Sequence, residues 1–337
     1  MGDSALPVEV KLFDDLAEAE RDAAGALGRA ARLSLFDRIA WYRLIATHCP
    51  PPGRLLVARA RGNGEASWLF LSVERGRARA LAAWYSLRFA LAGDPGGAEA
   101  IARALGRQRL ASVALAPLEN PASLTDAFRK AGWLTFIEPA TFSWQINTQD
   151  TDFDTYWAAR PSRLRNTAER KARAAGLDVA IHRRFDDSAW SDYESVYRTS
   201  WKPEEGSPAF LRALAEQEGA AGTLRLGIAS KDGSAVAAQL WLVENGRATI
   251  HKLAYSEAAR DLSPGTVLSM AMFRHVLDED RVSRIDYGTG DDAYKRDWME
   301  ERATLWRLAA FNPRTVRGLA GAARAAASAL VRRARSR

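Results

Sequence analysis

Apolar and polar positions alternate along residues 8–13, which predicts a strand. The period then lengthens to that of a helix through residue 31 and again over 36–47, where Ile39, Tyr42 and Leu44 gather near Trp41. Pro50-Pro51-Pro52-Gly53 stops that section. Strand-like runs follow at 54–60, 66–74 and 77–84, with Asn63-Gly64 and Arg75-Gly76 as the turns between them. A helix (98–105), a strand (110–115), a helix (123–131) and strands at 133–137 and 141–146 complete the first half.

The second half repeats this order. Helices are predicted at 153–159, 163–175, 188–201 and 208–218, with a strand at 179–183. A meander of runs 223–230, 235–243 and 247–255 is joined by Asp232-Gly233 and Asn245-Gly246, dipeptides suited to positive φ in antiparallel hairpins. A helix from Pro264 to residue 277, a strand (284–287), a helix (293–302) and a strand (304–309) close the pattern. The expected fold class is α/β (α+β), two tandem domains that each hold a mixed, mostly antiparallel sheet flanked by helices. No residue-level repeat is visible, so the duplication is one of structure. The expected boundaries are 1–139, 140–312 and a tail over 313–337, with the seam near Glu138-Pro139-Ala140.

Composition narrows the function classes. At 337 residues, 47% hydrophobic and 26% charged, the chain reads as an ordinary globular protein large enough for two domains. It has no apolar run near the ~20 residues that span a bilayer. Met1-Gly2-Asp3-Ser4-Ala5 lacks the basic-then-apolar order of a secretory signal. The single cysteine, Cys49, excludes an intrachain disulfide, and with four scattered histidines it makes a zinc cluster improbable, so no metal is expected. A cytoplasmic location follows, with peripheral attachment at the inner membrane as an option left to the tail. The net charge of +7 is confined to residues 314–337, which carry seven arginines and no acid; the remaining body is neutral. That argues against DNA and against strong RNA binding. With few large apolar residues, the tail is expected to be frayed and solvated; a helix laid on an anionic membrane or partner is the alternative.

The most informative stretch runs from Tyr255 to Val267. Ser263 reads as an N-cap accepting an amide of the first turn, and Pro264 suits the first helical position. Gly265 lets an outside group approach, and a helix start offers free amides and a positive dipole end to a phosphate. Arg260 adds a guanidinium. An ordinary capped helix after a loop would read the same way. In the first half the corresponding loop, Gly93-Asp94-Pro95-Gly96-Gly97, carries an Asp94 that would repel phosphate.

This order, with a phosphate-ready loop between the third meander strand and its helix, resembles the GNAT acyltransferase fold, whose loop has the form Gln/Arg-x-x-Gly-x-Gly/Ala. Arg260-Asp261-Leu262-Ser263-Pro264-Gly265 fits it with Ser263 in place of the first glycine. Residues 160–298 are similar to the double-GNAT, Fem-like branch that includes acetyltransferases of cellulose and exopolysaccharide synthesis. The shared segments are Ser162-Arg163-Leu164-Arg165-Asn166, Ser200-Trp201-Lys202, Lys252-Leu253-Ala254-Tyr255, Leu262-Ser263-Pro264-Gly265-Thr266, and Asp286 through Lys295 followed by Trp298.

The resemblance implies a donor, acetyl-CoA or another acyl-CoA, with its pyrophosphate on Arg260, Ser263, Gly265 and Thr266. It also implies a splayed strand whose amides at Leu253, Ala254 and Tyr255 hold the pantetheine and polarise the thioester carbonyl. Tyr294 is the candidate to protonate the departing thiolate, or else a satisfied phenol. Asp286 is a candidate to orient substrate or accept a proton, or else a turn-former. His251, which shares a face with Thr249 and Leu253 by strand alternation, is a candidate base or else a core histidine. Arg165, from a basic helix with Arg160, Arg163, Arg170, Lys171 and Arg173, is assigned with Trp201, Lys202 and Lys295 to the acceptor. The expected reaction is N-acylation of a small-molecule or sugar amine, with cell-envelope or exopolysaccharide metabolism as its setting. The alternatives are aminoacyl transfer from a charged tRNA, as in Fem proteins, and a non-catalytic scaffold of polysaccharide machinery.

Overall fold

A computed structural model of the chain describes residues 8–62 and 64–335, with side chains through 332. Asn63, one half of an expected turn, lies outside the described residues. The chain divides into two units, 1–141 with 304–337 and 142–303.

The first unit contains β1 (Glu9–Phe13), α1 (Leu16–Ala23), α2 (Ile39–His48), β2 (Arg54–Arg61), β3 (Ser67–Glu74), β4 (Arg77–Ala80), the short β5 (Ala92–Gly93), α3 (Ala98–Arg107), β6 (Ser112–Leu118) and α4 (Ala122–Lys130). The strand β7 (Leu134–Asn147) then carries the chain across Thr141/Phe142 into the second unit. The order β1-β2-β3-β4 is an antiparallel meander, β6 lies parallel to β4, and β5 pairs β3.

The second unit follows the same plan. It contains α5 (Phe153–Ala158), α6 (Ser162–Ala175), β8 (Asp178–His182), α7 (Asp187–Arg198), α8 (Pro208–Ala220), β9 (Leu224–Lys231), β10 (Ser234–Glu244) and β11 (Arg247–Tyr255). A 3₁₀ turn (Glu257–Leu262) leads into α9 (Pro264–Arg274), which widens into a π turn before β12 (Arg284–Thr289) and α10 (Lys295–Trp298). Here β8-β9-β10-β11 is the antiparallel meander, β12 lies parallel to β11, and residues 143–147 of β7 pair β12. The final strand β13 (Glu301–Phe311) returns the chain to the first unit, where residues 306–311 pair β6, and α11 (Val316–Arg335) follows.

The hairpins form as their dipeptides predict. Arg75-Gly76, Asp232-Gly233 and Asn245-Gly246 all hold positive φ at both central residues. The strands β9 and β10 are buried on both faces along most of their length, with Arg225 and Gln239 among the buried side chains. In the second unit the core is aromatic: Trp298 stacks on Phe273 at 4.9 Å and leans on Trp157 at 5.8 Å, while Trp241 meets Phe273 edge-on at 5.2 Å. Truncating a ring in such a cluster costs about 3–5 kcal/mol.

Several expectations change: the helical pattern through residue 31 ends at Ala23, and the strand run at 77–84 ends at Ala80. The two strands at 133–137 and 141–146 are one continuous strand. The helix at 293–302 shrinks to Lys295–Trp298 because Glu301 and Arg302 already belong to β13. The tail is a helix through Arg335, not a frayed segment. No helix among the described residues is long and apolar enough to cross a membrane.

Candidate active site

The site is built on a strand that changes neighbours. β11 pairs β12 only over Arg247–Thr249, opposite Arg284–Asp286. Immediately beyond, the β10–β11 register jumps from Trp241↔Ile250 to Leu240↔Lys252, so His251 is an extra, bulged residue. A bulge bends its strand and adds twist, which carries the end of β11 away from β12. The alternation that would put His251 on one face with Thr249 and Leu253 is interrupted at this residue. On the far side of the bulge, Ser256 N donates to Val236 O of β10 at 2.9 Å. Successive amides point to opposite edges of a strand, so Ala254 N also faces β10, whereas Leu253 N and Tyr255 N face the side that β12 has left.

The helix start beside this opening differs from the expected cap. Ser263 is left-handed (φ 52, ψ 46) and makes no side-chain capping bond. Its carbonyl instead accepts from Thr266 N (3.0 Å) and Val267 N (3.2 Å). The preceding 3₁₀ turn delivers the chain to Ser263 in the conformation that glycine takes most readily, at about 1–2 kcal/mol for a residue with a Cβ. The loop thus keeps a glycine-like turn without the glycine. At Gly265 a Cβ would stand 3.1 Å from Tyr255 Cδ1, so even one methyl would press on that ring. Tyr255 in turn packs on Trp201, 4.3 Å between centroids. Arg260 is exposed on the 3₁₀ turn.

Gln239, which sequence reasoning passed over, and Lys171, which it named only as one base of the basic helix, fix this turn. Gln239 of β10, fully buried, donates to Gly265 O (3.2 Å) and Ser269 Oγ (2.8 Å) and accepts from Trp241 Nε1 (2.9 Å). Lys171 of α6 donates to Asp261 O and so brings a second cation to the loop. The run of bases in 163–173 was the available signal for Lys171. An isolated Gln in an apolar strand was the signal for Gln239.

Much of the Asp286–Trp298 segment is occupied in holding itself together. Asp286, buried at the end of the β11–β12 pairing, accepts from Ser143 Oγ (2.7 Å), Gly288 N (2.9 Å) and Arg247 Nη2 (2.9 Å). Lys295 is buried as well; its Nζ donates to Thr289 O (2.7 Å) and lies 3.3 Å from the Asp292 carboxylate. Burial lowers the Lys295 ammonium below the ordinary lysine range. Tyr294 is partly exposed, its ring edge-on to the buried Tyr287 at 5.7 Å. Burial first, then the Asp292 charge, pushes its phenol up, so it carries its proton throughout the physiological range.

Burial, then the Lys252 charge, pushes the His251 imidazole down to about 3, so it is neutral near pH 7. Lys252 pairs with Glu205 at 2.9 Å. Lys202 is lowered to about 8, first by burial and then by Lys252, with Lys295 contributing in the same direction. It lines a cavity of about 510 Å³ whose walls are Trp190, Tyr193 and Tyr197 of α7, the 202–205 segment, and Pro208 and Leu211 of α8. Trp201, Tyr255 and Gly265 therefore form one chain of contacts, and Lys202, Lys252 and Lys295 share one electrostatic neighbourhood. Arg165 stands outside both: its Nε donates to Arg160 O (3.2 Å) in the turn before its helix.

Residues 160–296 match the family model of the acetyltransferase (GNAT) domain. No curated protein matches the chain. Solved structures share its fold at low identity. The DUF2156 domain of an Agrobacterium fabrum protein assigned as a lysylphosphatidylglycerol synthetase is 15% identical with a TM-score of 0.58, covering 91% of this chain and 95% of that one. FemX is 10% identical with a TM-score of 0.54, covering 80% and 94%. A tandem GNAT protein from the clavulanic acid biosynthesis pathway is 14% identical with a TM-score of 0.51, covering 90% and 98%. The fold is the mixed α/β fold of GNAT proteins, and its second unit carries an acetyltransferase (GNAT) domain, an enzyme domain of the acyltransferase type.

Proposed function

We propose that the second unit transfers an acyl group from acyl-CoA to an amine, and that the first unit is a GNAT-like partner domain without a cofactor of its own. The observation that carries the reading is that the pairing of β11 with β12 ends at Thr249, which leaves the Leu253 and Tyr255 amides on the edge that β12 no longer pairs, with Tyr255 against Gly265 of the Ser263–Thr266 turn. Amides held in place by a sheet can stabilise the oxyanion of a thioester under attack without reorganising. The diphosphate of the donor is assigned to Arg260, Lys171 and the backbone amide of Gly265, since the Thr266 amide is already given to Ser263 O at 3.0 Å. The acceptor attacks as its neutral amine; as the C–N bond forms and the C–S bond breaks, Tyr294 is the proposed donor of a proton to the leaving thiolate, and the proton shed by the new amide nitrogen returns through solvent to the phenol. The acceptor is assigned to the cavity beside Trp201 and Lys202, whose Glu204 carboxylate and aromatic walls suit an amine that arrives as a cation and sheds a proton to solvent before attack. Asp286 and Lys295 are proposed as braces of the loop that presents Tyr294, and His251 as a neutral wedge that keeps β11 bent. In the first unit the corresponding loop carries a carboxylate, Asp94, which accepts from the Gly96 amide at 2.9 Å and supports the assignment of no donor there.

Calorimetric titration with CoA and acetyl-CoA tests the donor. Binding is expected to wild type and to vanish in Gly265→Asp, which adds both bulk against Tyr255 and a like charge. Unchanged affinity in that variant would remove the assignment. Thiol release followed over a panel of amino sugars, diamines and amino acids identifies the acceptor. Turnover with a charged tRNA but not with acyl-CoA would replace the donor while keeping the fold.

A further inference from the structure

The last helix is attached along one face and bare along another. Gly318 and Gly321 form the attached face: a Cβ at Gly318 would fall 2.1 Å from Asn312 O, and one at Gly321 2.6 Å from the Phe311 ring. Ala322 is buried beside them, and Arg332 pairs with Glu138 at 3.0 Å. The other side exposes Val316 (85%), Leu319 (51%), Leu330 (67%) and Val331 (53%), with alanines at 320, 323, 326 and 327 filling the helical stripe between them.

The start of the same helix is dense in positive charge. Ala111 N donates to Gly76 O, Asn312 N donates to Ala111 O, and Arg317 reaches Arg75 O, so three chain segments converge there. They bring together Arg75, Arg77, Arg109, Arg314 and Arg317, all exposed; Glu74, opposite Arg77 in the hairpin, is taken up by Arg79 at 3.5 Å. Adjoining them, a cavity of about 180 Å³ is lined by Arg103, Arg107, Arg314 and Asn312.

We infer that α11 and the arginines at its start form a docking surface for an anionic phospholipid membrane, with the exposed aliphatic stripe entering the acyl boundary and the guanidiniums holding headgroup phosphates. The stripe favours lipid over a nucleic acid, which would engage the arginines and leave Leu319, Leu330 and Val331 wet. The separation of the small-residue face from the aliphatic face matters: the helix need not detach to bind. This surface lies in the first unit and is independent of the acyltransferase reading.

Sedimentation of the full chain with vesicles tests it. Phosphatidylcholine vesicles containing about one-third phosphatidylglycerol should pull the protein down, and pure phosphatidylcholine should not. Leu319→Ser/Leu330→Ser/Val331→Ser should weaken anionic-vesicle binding by about tenfold or more, with an unchanged melting temperature as the fold control. Arg75→Ala/Arg77→Ala/Arg109→Ala, which leaves the helix intact, should weaken it comparably and flatten its salt dependence. Absence of pelleting with anionic vesicles, or pelleting indifferent to the serine variant, overturns the proposal. So does a dimer in light scattering that the serine variant dissociates, since a second copy would then cover the stripe. Retention of RNA binding by the serine variant with no vesicle binding by wild type would assign the arginines to nucleic acid instead.

Discussion

Asp286 separates two readings of the most specific motif in the chain. If it is a brace, its loss should show in stability; if it works on substrate, in turnover alone. Asp286→Ala removes an acceptor from Ser143 Oγ at 2.7 Å, Gly288 N at 2.9 Å and Arg247 Nη2 at 2.9 Å. Each bond to a charged acceptor contributes about 1.5–3 kcal/mol, but the three share one carboxylate and do not add. The Arg247 side chain keeps 25% of its exposure, so its stranded charge is partly hydrated and the ion-pair share is discounted. A loss of about 3–4 kcal/mol results, near the lower end for breaking a buried pair. For a unit spanning 142–303, that corresponds to a fall in Tm of about 10 °C. Asp286→Asn, which still accepts from Gly288 but sets an amide against Arg247, should lose roughly half as much. Urea and thermal unfolding followed by tryptophan fluorescence measure the loss, and thiol release assayed well below the variant's melting range measures chemistry. A variant that melts like wild type yet turns over about 10²–10⁴-fold more slowly would refute the brace and restore Asp286 as an acid or base.

Further outcomes follow from other residues. Tyr294→Phe should lower kcat by about 10²-fold with CoA affinity and Tm unchanged, checked by steady-state kinetics beside calorimetry; equal kcat would strike Tyr294 from the mechanism. Burial raises the Asp37 carboxyl to about 6 against the pull of Arg88, Arg32 and Arg38. Its contribution is thus present below its ordinary value and lost as pH rises through about 6, so Asp37→Asn should be more stable than wild type by about 1–3 kcal/mol at pH 7.5 and equal to it below pH ~4. Scanning fluorimetry across that range reads the difference, and a less stable variant at pH 7.5 would contradict it. Burial pushes the Cys49 thiol up to about 11, so iodoacetamide at pH 8 should label it about a hundredfold more slowly than a free cysteine; mass spectrometry after timed quenching checks this.

The fold was legible wherever a local rule decides the backbone. Asp232-Gly233 and Asn245-Gly246 specify their hairpins because few other dipeptides tolerate two positive φ angles. Pattern failed where distant residues decide. Nothing in Thr249-Ile250-His251-Lys252 marks an extra residue, since a bulge is defined by the partner strand. Ser263 has the chemistry of a cap, but the upstream turn dictates its dihedrals and takes the side chain out of range. Glu301 and Arg302 read as the end of a helix because their strand partners are remote in sequence. The tail read as frayed because alanine and arginine say nothing about docking, whereas Gly318 and Gly321 permit it only once Asn312 and Phe311 are in place. For the site, the loop and the Asp286–Lys295 motif were found by residue type, but the division between Asp286 and Lys295, which build, and Tyr294 required the hydrogen bonds.

The bulge at His251 makes strand length, not side-chain identity, the sensitive variable of this enzyme unit. A glutamine there should be accommodated as a neutral filler of comparable volume. Deleting the residue would let β11 run straight, regain ladder bonds with β12 and hide the two amides from any visitor. Such a protein would melt no earlier than its parent and, on the role proposed for those amides, lose its turnover: a gain of regular sheet bought with chemistry.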